Sequence, residues 1–266
     1  MPALHSCPVV SNEQVTAQVF RLTVRAPRLA TEAAPGQFVN VKVREGPVPL
    51  WRRPFSVYSV DRDAGLVGLL FAVRGTGTRL LAGATPGDTL DVLGPLGRAF
   101  APPPEERQPL LVAGGLGVAP VHFLAQEMSA QGLHPMVLLG ARDAAALCAL
   151  DDLARLPVVL HLATEDGSRG FKGPVTELLA TVLTDFHHNG VAVYACGPVG
   201  MLREVTRICT AKRVWGQICL ETLMACGIGA CMGCAVPTHA TSAGPNYKLV
   251  CKDGPVFDVR ELDLER

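Results

Sequence analysis

With 266 residues, the chain exceeds the roughly 100–200 residues of a usual single domain, so two globular units with a small appendage are expected. Hydrophobic residues make up 48% and charged residues 18%, and 24 Lys and Arg balance 24 Asp and Glu, which excludes a disordered or fibrous chain. Scattered basic residues without interleaved aromatics exclude a phosphate-tracking groove, so no nucleic-acid partner is expected. The most apolar stretch, Leu110 to Ala125, is broken by glycines, Pro120 and His122 and falls short of the ~20 residues that cross a bilayer, so no membrane role is expected either.

The N-terminus, MPALHSCPVV, has neither a basic start nor a long apolar run before a small-residue cleavage site, which predicts a cytoplasmic protein. From Val15 to Val43, TAQVFRLTVRAP and GQFVNVKV alternate with period two between Pro and Gly breaks, as antiparallel strands do. RRPFSVYSV, GLVGLLFAV and DTLDVLGPLG continue the series to about residue 97 without a long helix, predicting a small barrel. Ala101 to Pro109 holds four prolines and three charged residues, the composition of a connector. After it, LLVAG reads as a buried strand, followed by a helix from about Val118 to Gln131 and the strand MVLLG, a βαβ unit. PVVLHLA, the helix PVTELLATVL, the strand VAVYAC and the helix GMLREVTRICTAK continue the alternation, which predicts a doubly wound parallel sheet covered on both faces. A strand begins near Trp215 and leads into a cysteine segment.

Nine cysteines, an odd number, with three crowded into nine residues, fit metal binding better than a disulfide framework. Cys226, Cys231 and Cys234 are spaced C-x4-C-x2-C, and Cys251 follows after sixteen intervening residues, the plant-type [2Fe–2S] spacing. Four thiolates must converge on two irons, and a loop that tight needs Gly227, Gly229 and Gly233. Tetrahedral zinc also takes four thiolates, although it usually recruits two close pairs rather than a run of three. Four unrelated core cysteines is the bland alternative, and Cys7, Cys148, Cys209 and Cys219, which sit in or beside apolar segments, are read that way.

Arg53-Pro54-Phe55-Ser56 lies at a strand start, and Gly75-Thr76-Gly77-Thr78 opens a short helical stretch through Leu81. A guanidinium and a Gly-Thr helix start are both suited to pyrophosphate, though a solvated arginine and an ordinary turn have the same appearance. Gly114-Gly115-Leu116-Gly117-Val118-Ala119-Pro120 follows a buried strand and opens a helix, so its backbone can approach a dinucleotide; a ligand-free tight turn is the alternative. Tyr194-Ala195-Cys196-Gly197-Pro198 comes at the C-terminal end of another parallel strand, making Cys196 a candidate nicotinamide neighbour.

In that order and spacing, RPFS, the later GT, GGLGVAP and CGP resemble the ferredoxin-NADP reductase superfamily. MACGIGACMGC and VCKDGPVF narrow the resemblance to the electron-transfer subunits of heteromeric, NAD-linked (class 1B) dihydroorotate dehydrogenase, over nearly the whole chain. The resemblance implies a multi-domain β plus α/β architecture: an FAD-binding β-barrel over 1–103, an NAD-binding α/β domain over 104–218 and a small [2Fe–2S] lobe over 219–266. It implies that Arg53, Pro54, Phe55 and Ser56 hold the flavin and its phosphates, that Leu70, Phe71 and Ala72 line it, and that Gly77 and Thr78 contact pyrophosphate. Phe55 stands where many superfamily members carry tyrosine, which removes a hydroxyl contact and keeps apolar packing. Gly114, Gly115, Gly117, Cys196, Gly197 and Pro198 are expected at the nucleotide, and Cys226, Cys231, Cys234 and Cys251 at the cluster.

Thr164-Glu165-Asp166-Gly167-Ser168 resembles the family's segment near the adenosine ribose, where carboxylates favour NAD over NADP; a solvated acidic turn is the alternative. His187-His188 reads as an exposed loop.

The implied function is an oxidoreductase subunit relaying electrons between NAD, an exchangeable substrate, and an FMN-containing catalytic partner that oxidises dihydroorotate in pyrimidine biosynthesis, in a heterotetramer of two of each. No side chain of this chain is expected to act as a catalytic acid or base, because the cofactors carry the chemistry. The alternative client is an NADH-dependent ferredoxin-NADP reductase, sulfide dehydrogenase or hydrogenase-type complex. A self-contained oxygenase reductase with a C-terminal ferredoxin domain needs a longer chain than the roughly fifty residues after the last helix, and a zinc-stapled binding module is the non-enzymatic alternative.

Overall fold

The computed structural model describes residues 2–44, 46, 49–104, 106–239 and 247–265. Residue 105 of the connector and residues 240–246, within the sixteen-residue gap before Cys251, lie outside the described residues.

Six strands close an antiparallel barrel: β1 (Ala3–Gln14), β2 (Val19–Arg25), β3 (Phe38–Lys42), β4 (Arg53–Asp61), β5 (Leu66–Ala72) and β6 (Thr89–Leu96), in the spatial order β1-β2-β5-β4-β3-β6. The period-two sequence is the cause. In β6, Leu90, Val92 and Leu96 are buried while Thr89 and Asp91 are not, as a strand with one face on a core requires. Two short helices, α1 (Pro27–Glu32) and α2 (Thr76–Ala82), interrupt the strands; α1 carries Pro at its start and buries Leu29 and Ala30.

The second layer is a sheet of β7 (Gln108–Gly114), β8 (Met136–Ala141), β9 (Val159–Thr164), β10 (Phe171–Lys172), β11 (Val191–Cys196), β12 (Trp215–Cys219) and β15 (Val256–Asp258), in the order β10-β9-β8-β7-β11-β12-β15. All pairings are parallel except β12 with β15. α3 (Val118–Ala130), α4 (Leu150–Ala154), α5 (Val175–Val182) and α6 (Val199–Ala211) pack against this sheet. Every residue of β11 is buried, which is why its sequence is a continuous apolar run rather than an alternating one. The chain then forms a hairpin, β13 (Ala235–Pro237) with β14 (Tyr247–Leu249), and a single turn, α7 (Val250–Asp253), before β15 adds an antiparallel edge to the sheet. The first barrel strand, β1, goes beyond the sequence reading, which began its strands at Val15, as do the short elements α1, α4, β10, β13, β14, α7 and β15, whose two to six residues carry too little periodicity to be recognised.

Three apolar cores interlock. One fills the barrel, one lies under α3 and α4, and the third joins α5 and α6 to the cysteine segment through Cys234, Leu249, Val250 and Phe257. Barrel residues Tyr58 and Leu70 belong to the second core, and Phe38 and Leu96 to the third, so barrel and sheet share apolar packing. Among the described residues, no helix is long and apolar enough to cross a membrane.

Candidate functional site

The β4 register shifts between Val57 and Ser59, and the irregularity frees backbone groups that α3 takes up. His122 Nδ1 lies 3.0 Å from the Tyr58 carbonyl oxygen, and Gln126 donates to the Val60 carbonyl at 2.7 Å while accepting from its amide at 3.2 Å. Tyr58 stacks on His122 with ring centroids 4.3 Å apart. Its hydroxyl donates to Asp152 Oδ2 at 2.5 Å, and Arg21 of β2 donates to the same oxygen at 2.5 Å. Burial holds the His122 imidazole below its ordinary range, so the seam keeps it neutral. This network fixes the barrel against the sheet.

Beside the seam, a cleft of about 1180 Å³ opens at the C-terminal ends of the parallel strands, where doubly wound sheets place ligands. Pro54, Phe55 and Ser56 of β4, Leu70, Phe71 and Ala72 of β5 and Thr78 of α2 line one side. Phe55 packs on Phe71 at 5.5 Å between centroids. The Thr78 hydroxyl accepts from the amides of Arg74 and Gly75 at 2.8 and 3.1 Å and so holds the turn before α2. Gly114, Gly115, Gly117, Gly197 and Pro198 line the other side. At Gly117 a Cβ would stand 2.1 Å from the Cys196 carbonyl oxygen, so only glycine lets the β7 turn pack on the end of β11.

Three sequence candidates stand outside that lining. The Arg53 guanidinium lies over Gly77, where a Cβ would come within 2.8 Å of Nε, and donates to the Trp51 carbonyl at 2.7 Å. Cys196 is fully buried, and its registered neighbour Cys219 has the cleft-lining position instead. In the acidic turn, Glu165 lines the cleft, whereas Asp166 accepts from the Ser168 hydroxyl and amide at 2.7 and 2.9 Å, which hold its carboxyl below the usual range. Glu221, just past β12, also faces the cleft; the protein crowded around it pushes its carboxyl above the usual range, with Arg74 pulling the other way.

The cysteine loop continues directly from that wall. Cys234 and Cys251 bring their sulfurs to 3.3 Å, and the Cys226 and Cys231 side chains are hydrogen-bonded. Backbone amides aim at the sulfurs: Gly229 at Cys251 (3.1 Å), Cys231 and Ile228 at Cys226 (3.4 and 3.5 Å), and Cys251 at Cys234 (3.5 Å). Desolvation pushes the Cys226 thiol upward, but the amides of Ile228 and Cys231 outweigh it and hold the thiol down to about 6. Burial pushes Cys251 up to about 12. Among the described residues, no group of three or more His, Cys, Asp or Glu is placed to hold a single ion. Two thiol pairs with amides turned toward sulfur suit two irons that each take two thiolates. Asn40, a buried residue of β3, donates to the Cys226 carbonyl at 3.2 Å and ties the loop to the barrel. Gly227 holds φ +70° with its missing Cβ only 2.0 Å from Asn40 Nδ2, so glycine is required on two grounds.

Comparison with known proteins agrees with this geometry. Residues 6–100 match the oxidoreductase FAD-binding domain, 111–207 the oxidoreductase NAD-binding domain, and 221–263 the iron–sulfur cluster binding domain of dihydroorotate dehydrogenase B. The dihydroorotate dehydrogenase B (NAD(+)) electron transfer subunit of Desulforamulus reducens is 37% identical over 257 residues, covering 97% of each chain. The chain belongs to the dihydroorotate dehydrogenase B electron-transfer subunit family. As a member of that family it is an oxidoreductase subunit with binding domains for FAD, NAD and an iron–sulfur cluster. A solved structure of an NADH-dependent reduced ferredoxin-NADP oxidoreductase, described for flavin-based electron bifurcation, aligns with TM-score 0.84 and 30% identity over 98% of this chain and 91% of that one. A ferredoxin-NADP+ reductase from Neisseria gonorrhoeae, 18% identical over 79% of this chain and 91% of its own, shares the fold with TM-score 0.68.

Three residues of this family member escaped the sequence reading, Asn40, Asp152 and Glu221, while Cys219, read as a core cysteine, is buried and also lines the cleft. Asn40 and Asp152 stand in no motif, and their roles depend on partners 186 and 131 positions away. Glu221 directly precedes the cysteine segment, and that adjacency was the one available signal.

Proposed function

We propose that this subunit relays electrons between NAD and an FMN-bearing catalytic subunit that oxidises dihydroorotate to orotate, in a heterotetramer of two of each. The observation that carries the reading is the continuity of the cleft with the cysteine loop through Leu220, Glu221, Thr222 and Met224, all of which line the cleft. FAD, when bound, would supply both hydride exchange with NAD and single-electron exchange with a cluster, and this chain's side chains would hold it. Phe55, Leu70, Phe71 and Ala72 supply an apolar bed and Ser56 a hydroxyl for the flavin, with Arg53 and Gly77–Thr78 toward its pyrophosphate. Gly114, Gly115 and Gly117 offer backbone to the nucleotide phosphates, Gly197 and Pro198 flank the nicotinamide with Cys196 behind them, and Glu165 faces the ribose. Cys226 and Cys231 serve one iron, and Cys234 and Cys251 the other. Domain limits at 103 and 218 follow this division of labour.

Cys231 is exposed, and around the loop Leu223 (90%), Ile228 (55%), Met232 (60%) and Tyr247 (59%) leave apolar side chains in solvent. Exposed apolar side chains grouped beside a redox centre favour docking of a partner subunit there. A reducing compartment, the cytoplasm, keeps cysteine thiols available as thiolate ligands for the cluster. The resemblance in fold to the ferredoxin-NADP oxidoreductase leaves the client unchanged, because the family's own cluster-binding domain matches here.

The test is anaerobic NAD reduction driven by dihydroorotate, using the complex that copurifies with the tagged chain from its native host. Turnover is expected. NADH-driven bleaching of flavin and cluster without any response to dihydroorotate would keep the relay and reject the client.

A further inference from the structure

Two cysteines outside the cluster set stand together behind the nucleotide side of the cleft. Cys196 ends β11 and Cys219 ends β12, and they are registered partners in the parallel ladder. Registered residues on neighbouring strands point to the same face about 4.8 Å apart, within the roughly 4.4–6.8 Å between Cα atoms that a disulfide spans. Both thiols are free, and they hydrogen-bond to one another. Both are buried, Cys196 at 0% and Cys219 at 1% exposure, but only Cys219 contributes to the cleft lining, so peroxide reaches the pair from that side. The residues that follow them, Gly197 and Pro198 on one strand and Leu220 and Glu221 on the other, form part of the cleft wall.

We propose that Cys196 and Cys219 form a peroxide-oxidisable dithiol whose disulfide closes across the β11–β12 ladder and reversibly shuts the nucleotide side of the cleft. The Cys219 thiolate attacks hydrogen peroxide that enters the cleft; the O–O bond breaks, water leaves and a sulfenic acid forms. The Cys196 sulfur then displaces the hydroxyl group, so that the S–S bond forms as the S–O bond breaks and a second water leaves. Two thiols have lost two electrons and two protons, and one peroxide has become two waters. A small dithiol reverses the change by exchange and is itself oxidised to a disulfide. The hydrogen bond that the Cys196 thiol donates to the Cys219 sulfur, together with burial, holds Cys196 well above its ordinary range, so the pair rests as thiols. Because the Cα span already suits a disulfide, bringing the sulfurs to about 2.05 Å takes side-chain rotation and a sub-ångström shift of the strand ends, and that shift reaches the residues that line the cleft.

The shutdown rests on the reading of this cleft as the nucleotide site; the disulfide does not. The experiment treats the holoprotein with graded hydrogen peroxide while the visible absorbance reports that the cluster is intact, then alkylates, digests and maps the cysteines. The expected product is a peptide pair joined through Cys196 and Cys219, lighter by about 2 Da than the two thiol peptides. NADH-driven flavin bleaching falls in step by about tenfold, as a sub-ångström displacement of reacting groups predicts, and dithiothreitol restores both. Cys219→Ser and Cys196→Ser each abolish the linked peptide, and each keeps its own untreated rate after peroxide. Alkylation of both cysteines after peroxide has been consumed overturns the disulfide, and a linked peptide with an unchanged rate overturns the shutdown. If NADH fails to bleach the flavin before any peroxide is added, the nucleotide reading falls while the peptide map still decides the disulfide.

Discussion

Replacing Asp152 tests the seam that sets the cleft. Its Oδ2 accepts from Arg21 and from Tyr58, each at 2.5 Å, with the Asp152 side chain 15% exposed and that of Arg21 30%. Removing one partner of a buried ion pair costs about 3–5 kcal/mol, and Asp152→Ala falls near the lower end, about 3 kcal/mol, because the pair is only partly buried and Arg21 keeps Glu13 at 2.6 Å. Tyr58→Phe removes one donor to a charged group and costs about 1.5 kcal/mol. At roughly 2–4 °C per kcal/mol for a chain of this size, the apparent Tm falls by about 6–12 °C for Asp152→Ala and about 3–6 °C for Tyr58→Phe.

The pH dependence has a definite sign. Burial pushes the Asp152 carboxyl up, but the Tyr58 hydroxyl and Arg21 outweigh it and hold it below its ordinary range. A carboxyl depressed in the folded state contributes fully above its unfolded value, about 3.9, and loses that contribution as pH falls through the lower folded value. The gap in Tm between wild type and Asp152→Asn therefore stays constant from pH 7 to about 5 and closes only below about 4. Thermal melts followed by near-UV circular dichroism at stepped pH check this. An Asp152→Ala protein that melts with the wild type, or a gap that closes by pH 6, would refute the reasoning.

Cys231→Ser removes one ligand of the Cys226–Cys231 pair, so visible cluster absorption and dihydroorotate-coupled NAD reduction are lost while NADH still bleaches the flavin; undiminished coupling in that variant sinks the ligand assignment. Gly227→Ala adds a Cβ 2.0 Å from Asn40 Nδ2 at φ +70°, where a side chain costs about 1–2 kcal/mol before any clash. Iron content should fall, and adding Asn40→Ala should recover the steric part; equal iron in both variants contradicts the packing. Glu221→Gln removes a carboxyl raised by the surrounding protein, so the pH profile of NADH-driven flavin reduction should lose an ionisation above the ordinary glutamate range, and an unaltered profile excludes Glu221 as its source.

The motifs of this chain are local, and local chemistry needs no tertiary knowledge to be recognised. The C-x4-C-x2-C spacing reports the cluster, because a few residues of backbone suffice to bring three thiolates together. Likewise LLVAG and VAVYAC show a sheet covered on both faces, since a strand buried on both sides cannot alternate. The sequence by itself therefore determined the barrel, the doubly wound sheet and the identity of the cofactor domains. Only the tertiary structure decided which residues meet across them. Asn40 reaches the cluster loop, Asp152 joins Arg21 to Tyr58, and Cys219 rather than Cys196 lines the cleft. The reason is physical: a buried polar group is defined by its hydrogen-bond partner. When that partner lies more than a hundred residues away, no periodicity or spacing in the chain records the meeting.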